Sequence, residues 1–136
     1  MPSRQAFFGA LVAAAGVIAL AGPAAAVTAT SVSCTYETEL STWPGNFMGS
    51  VMVTNTGTEA VDDWRIEFDL PGHAHITHGW YAIFITLTGH IRVMPEKWNS
   101  HLTPGMSVDP SFVGIQSGVV TVSNVTLNGV SCTAKA

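Results

Sequence analysis

Apolar and polar residues alternate with a period of two along much of the chain. The clearest run is Trp64-Arg65-Ile66-Glu67-Phe68-Asp69-Leu70. Trp64, Ile66, Phe68 and Leu70 point one way, and Arg65, Glu67 and Asp69 the other. Such alternation lays one side of a strand on a core and leaves the other in water. Asn46–Asn55 reads as a second strand and ends in the turn Asn55-Thr56-Gly57-Thr58. Residues 76–77, 81–88, 91–94, 107–115 and 119–127 are further strand candidates. Thr88-Gly89-His90 has the composition of a tight hairpin turn, and Pro71-Gly72 and Pro104-Gly105 break the chain between strands. No helical periodicity appears after residue 30. Seven to nine short strands with regular turns predict an all-β fold. The expected architecture is an antiparallel β-sandwich of about nine strands in immunoglobulin-like two-sheet packing.

The first residues follow another pattern. Arg4 precedes an apolar run over residues 6–20 that carries no charge. Gly22-Pro23 breaks the run, and Ala24-Ala25-Ala26 offers a small-residue cleavage site. That order is a Sec-type signal peptide, residues 1–26, with Val27-Thr28-Ala29 as a second possible cleavage site. A retained anchor fits less well, because the run is short for a bilayer span and no basic flank follows it. The expectation is a secreted module over residues 27–136, extracellular or wall-associated and free of the membrane once cleaved.

Charge and cysteines narrow the partners. After residue 26, Arg65, Arg92, Lys97 and Lys135 face nine carboxylates. This mild acidity argues against nucleic acid and against an anionic membrane, since no basic patch exists to neutralise phosphates. Cys34 and Cys132 lie near opposite ends of the mature chain, and two cysteines in an exported protein usually pair. Closing so long a loop stabilises the fold by roughly 4–5 kcal/mol in the chain-entropy account.

The tryptophans carry the functional signal. Trp64 alternates with Ile66 and Phe68 and is expected in the core. Trp43, Trp80 and Trp98 lack such company and read as exposed or half-exposed. The chain from Cys34 to Cys132 resembles the family 2 carbohydrate-binding modules, the bacterial cellulose-binding type. The resemblance rests on Cys34, Trp43 with Phe47, Val53-Thr54-Asn55-Thr56-Gly57, Asp63-Trp64, Gly79-Trp80, Trp98-Asn99, Pro104-Gly105, and Leu127-Asn128-Gly129 before Cys132. It implies a nine-stranded sandwich whose ends are joined by a disulfide. It further implies non-catalytic binding of an insoluble β-1,4-linked polysaccharide through Trp43, Trp80 and Trp98, with cellulose favoured, chitin next and xylan less so. His78, two residues before Trp80, shares its strand face and could donate to a sugar hydroxyl. Asn99 and Gln116 are further polar candidates. Some positions depart from the family pattern: Asn46 precedes Phe47 where glycine is expected, Ser50 stands in place of asparagine, and His78 in place of a residue that is often glutamine. The chain is read as a lone, monomeric module without cofactor or metal.

Competing chemistry is less well supported. His73, His75 and His78 could suggest zinc or copper, but a histidine-rich surface strand accounts for them. Glu67 and Asp69 could suggest a chitinase- or cellulase-like glycoside hydrolase, which needs two carboxylates flanking the scissile bond. They sit on the solvent side of a strand, not in a cleft. A third reading is an adhesion sandwich that buries its aromatic face against a protein.

Overall fold

The computed structural model describes residues 32–135. The expected signal peptide, residues 1–26, lies outside them. The strands are β1 (Cys34–Trp43), β2 (Asn46–Asn55), β3 (Val61–Asp62), β4 (Ile66–Asp69), β5 (Ala74–Trp80), β6 (Ile83–Phe84), β7 (His90–Met94), β8 (His101–Leu102), β9 (Ser107–Val108), β10 (Ser111–Gln116), β11 (Ser123–Leu127), β12 (Val130–Ser131) and β13 (Thr133–Ala134). One turn of 3-10 helix, Lys97–Asn99, precedes β8. No helix among the described residues is long and apolar enough to cross a membrane.

Two sheets form a β-sandwich. The first has the order β13-β1-β2-β10-β5, with β9 also on β2; the second has the order β12-β11-β4-β7-β6. β3 and β8 form a separate pair. Among the described residues all pairings are antiparallel except β1 with β13, where the last strand runs alongside the first. That closure brings Cys34 and Cys132 together, and they are disulfide-bonded across 98 residues.

The core lies between the sheets. Trp64, Phe47, Phe68 and Phe112 are its largest fully buried side chains. Phe112 stacks on Phe68 at 5.8 Å and meets Phe47 and Phe84 edge-on at 6.0 Å, within the range that favours ring pairs. The expected inward residues of the Trp64–Leu70 run are all buried. Phe47 therefore belongs to the core. Asn55, the one buried polar residue among those described, is satisfied on both sides of its amide. Nδ2 donates to the Glu59 and Leu102 carbonyls at 2.9 and 3.0 Å, and Oδ1 accepts from Gly57 N at 2.9 Å. A buried amide left unpaired would cost stability, so these bonds hold the turn that the residues 55–58 suggested.

The segmentation is finer than nine strands. Asp109-Pro110 divides the expected strand 107–115 into β9 and β10. Residues 81–88 form only the short β6, because this stretch crosses between sheets. Ile85 N donates to Arg92 O on β7, whereas Ile76 N on β5 donates to Leu87 O. Only 123–127 of the expected strand 119–127 is paired as β11. β1 was not among the expected strands, although Cys34, Tyr36 and Leu40 alternate with Thr35, Glu37 and Glu39 and pack on the core; Thr38 and Thr42 interrupt its inward side, and only its first residues pair with β13.

Candidate functional site

Register places the candidate residues. In β2, Phe47, Gly49, Val51 and Val53 are buried, so Asn46, Met48, Ser50 and Met52 face outward. Outward Asn46 pairs with Trp43 of β1 and Ile115 of β10; Met48 pairs with Ser41 and Val113; Ser50 pairs with Glu39 and Ser111. Ser111 in turn pairs with Trp80 of β5, and Val113 with His78. Trp43, Trp80 and His78 therefore share the outer face of the first sheet. Trp43 and Trp80 stand three strands and four residues apart, roughly 20 Å between Cα atoms at ordinary sheet spacings.

The side chain of Asn99 ties the turn that carries Trp98 to the residue after Trp80. Asn99 Nδ2 donates to the carbonyl of Tyr81 at 2.9 Å, and Asn99 Oδ1 accepts from Glu96 N at 2.9 Å. Trp64 Nε1 donates to the Asn99 carbonyl at 2.7 Å from inside the core. The helical turn bearing Trp98 is thus pinned to the residue after Trp80 and to the core. Trp98 is 71% exposed and Trp43 46%, while Trp80 is half-buried.

Gln116 is similarly engaged. Its amide nitrogen Nε2 donates to the Trp43 carbonyl at 3.2 Å and to that of Asn46 at 3.3 Å, and Oε1 accepts from Gly118 N at 2.8 Å. These contacts hold the Pro44-Gly45 turn, in which Gly45 takes φ +79°. Asn99 and Gln116 spend their amides on the loops that carry Trp98 and Trp43. His78 is exposed, and its ring lies 5.7 Å from that of Trp80, tilted by 31°.

Tyr81 was not a sequence candidate. It is 52% exposed beside Trp80 and takes φ +67°, a left-handed conformation unusual for a bulky residue. Tyrosine carries no turn preference, so nothing in the local composition signalled it. Strained backbone of this kind concentrates at functional sites.

A shallow cleft of about 230 Å³ runs over the outer face between Met48, Trp80, Ser50 and Ser111, with Glu39 and Asp109 at its edge. Desolvation in the cleft raises the Asp109 carboxyl above its ordinary range, and nearby Glu39 adds to the rise, against a lowering hydrogen bond from Ser50. The histidines do not converge. His73 lies in the turn before β5 with Nε2 2.6 Å from the Val119 carbonyl. No group of three His, Cys, Asp or Glu among the described residues is arranged to hold a metal. Glu67 and Asp69 lie on the second sheet, where His90 bridges them: Nδ1 to Asp69 Oδ1 and Nε2 to Glu67 Oε1, both at 2.6 Å.

A sandwich that sets indoles on the outer face of one sheet, with aromatic and polar residues between, is the architecture of a carbohydrate-binding module. Residues 32–132 match the family model described as cellulose binding domain, and the chain belongs to that family, the family 2 carbohydrate-binding modules. It is 40% identical over 118 residues to chitinase C of Streptomyces lividans, covering 87% of this chain and 18% of that protein. Over 124 residues it is 35% identical to exoglucanase B of Cellulomonas fimi, covering 88% of this chain and 11% of that protein. The chain thus spans less than a fifth of these relatives. A solved chitin-binding domain from Streptomyces coelicolor is 38% identical, with TM-score 0.58, covering 76% of this chain and 96% of that domain.

Proposed function

We propose that the chain is a secreted, non-catalytic module that binds the flat face of an insoluble β-1,4-linked polysaccharide, cellulose or chitin. Trp43, Trp80 and Trp98 stack on its pyranose rings. The observation that carries this reading is the placement of Trp43 and Trp80 on one outer sheet face, with Trp98 pinned beside Trp80. A pyranose in such a chain presents axial C–H groups on its face and hydroxyls at its edge. An indole covers that face and demands few hydrogen bonds, and a rigid sheet keeps the rings positioned before binding, which limits the entropy cost. The names of the relatives, a chitinase and an exoglucanase, support the ligand class. Xylan is the weaker candidate. The reading includes a monomer that acts outside the cell or at the wall.

Catalysis has less support. Glu67 and Asp69 are tied to a shared histidine on the other sheet, away from the indoles. The test is depletion of the purified mature protein by microcrystalline cellulose, chitin and insoluble xylan, alongside Trp80→Ala. Binding to cellulose or chitin that Trp80→Ala weakens strongly is the expected outcome. No depletion by any of the three would refute the reading and turn the exposed rings toward a protein partner.

A further inference from the structure

The gap between Trp43 and Trp80 is too wide for aromatic contact, which needs ring centroids within about 7 Å. Met48 occupies it. Its side chain faces outward from β2, 45% exposed, one strand from Trp43 and two strands from Trp80, and it lines the same cleft as Trp80. Exposed Ile115 and half-buried Val113 flank it on β10. Met48 and Val113 thus give the face between the two indoles an apolar centre, with Ser50 and Ser111 beside Trp80.

We infer that Met48 is a contact residue of the polysaccharide face, and that oxidation of its thioether weakens binding. The inference rests on the function proposed above. A sugar chain lying across Trp43 and Trp80 must pass over Met48. A thioether is soft, polarisable and unbranched, so it conforms to the C–H face of a pyranose. Its exposure also leaves the sulfur open to peroxide. In the reaction with hydrogen peroxide, a sulfur lone pair attacks one peroxide oxygen, the S–O bond forms and the O–O bond breaks. The sulfur loses two electrons, and the other oxygen leaves as water after a proton shift. The product is a sulfoxide, which is polar and larger than the thioether. Placed beneath a sugar face, its oxygen loses hydration without gaining a partner, a penalty that corresponds to roughly tenfold or more in affinity.

Met94 and Met106 are comparably exposed but lie off this face, Met94 on the second sheet and Met106 in the turn before β9. Met52 shares the outer face but is half-buried and lies beyond Ser50. The experiment compares depletion isotherms on chitin and cellulose before and after mild peroxide treatment. Peptide mass spectrometry establishes that Met48 is oxidised and the tryptophans are intact. Wild-type protein should lose roughly tenfold or more in affinity. Met48→Leu, whatever affinity it starts from, should lose nothing further on treatment. The double variant Met94→Leu/Met106→Leu should bind as wild type before treatment and lose as much as wild type after it. Undiminished binding by the Met48 sulfoxide form, or unchanged peroxide sensitivity in Met48→Leu, overturns the inference. If untreated wild type binds neither polymer, the function proposed above fails as well; if it binds and ignores the oxidation, only the role of Met48 fails.

Discussion

Trp98 and Trp43 differ enough in exposure to predict a difference in their contributions. Trp98 is 71% exposed and Trp43 46%. Taking about 250 Å² for a whole tryptophan, roughly 180 and 115 Å² remain in water. A flat ligand covers one side of each ring, so about 90 and 60 Å² leave water on binding, worth about 2.2 and 1.5 kcal/mol at about 25 cal/mol per Å². Truncation to alanine should thus weaken binding by about 40-fold for Trp98→Ala and by about 12-fold for Trp43→Ala. The two sites share no partner, so the double variant should lose about 500-fold, the product of the single losses. Depletion isotherms on cellulose and chitin measure all three. Thermal melts serve as the folding control, because surface truncations away from structural features shift stability by within about 0.5 kcal/mol. A loss for Trp43→Ala equal to or larger than that for Trp98→Ala would refute the exposure argument. A double variant no weaker than either single one would refute independent stacking.

Four other outcomes follow from the same geometry. Asn99→Ala should weaken binding by loosening the Trp98 turn, because Asn99 bonds Tyr81 O and Glu96 N; hydrogen exchange at residues 96–100 should rise, and unchanged exchange would argue for direct sugar contact instead. Trp64→Ala should cost about 3–5 kcal/mol in urea unfolding, since it empties the core and leaves the Asn99 carbonyl without its Trp64 donor. Cys34→Ser/Cys132→Ser should lower stability by roughly 4–5 kcal/mol, given a closed loop near 100 residues, and a midpoint unmoved in denaturant would contradict this. His90 is raised above 6.5 by its hydrogen bond to Asp69 and then that to Glu67; its contribution is therefore fully present below pH 6.5 and is lost as pH rises through the raised value. The melting-temperature difference between wild type and His90→Gln should shrink over that range, and a difference constant with pH would rule the clamp out. Asp69 acts oppositely. Its pKa is lowered by Asn124 and then by His90, so its contribution is present above 3.8 and disappears as pH falls through the lowered value.

Much of the fold was legible in local pattern. Period-two alternation placed Ile66, Phe68 and Trp64 in the core, and the Asn46–Asn55 strand appears with those bounds. The Asn-Thr-Gly turn, the paired cysteines and the isolation of Trp43 and Trp98 from apolar neighbours were also readable, because each depends on residues near in sequence or on composition. β1 was missed because threonines at 38 and 42 interrupt its inward side, so that only Cys34, Tyr36 and Leu40 mark the alternation over its ten residues. The division of residues 81–88 and 107–115 was missed because crossing between sheets is a matter of partners, which local composition does not record.

The candidate site divides in the same way. A strand's own period tells which side each residue takes, so Trp80 and His78 could be put on one face from sequence. It does not tell which strand lies alongside. β1 and β5 meet the same surface only because β2 and β10 stand between them, and that order arises from packing the Phe47, Phe68 and Phe112 rings between two sheets. Hence the placement of Met48 on the Trp43–Trp80 diagonal, the use of Asn99 and Gln116 as loop braces, and the left-handed turn at Tyr81 came only with the tertiary structure. Alternation is set by neighbours along the chain, whereas register and hydrogen-bond partners are set by residues far apart in sequence that burial of the core brings together.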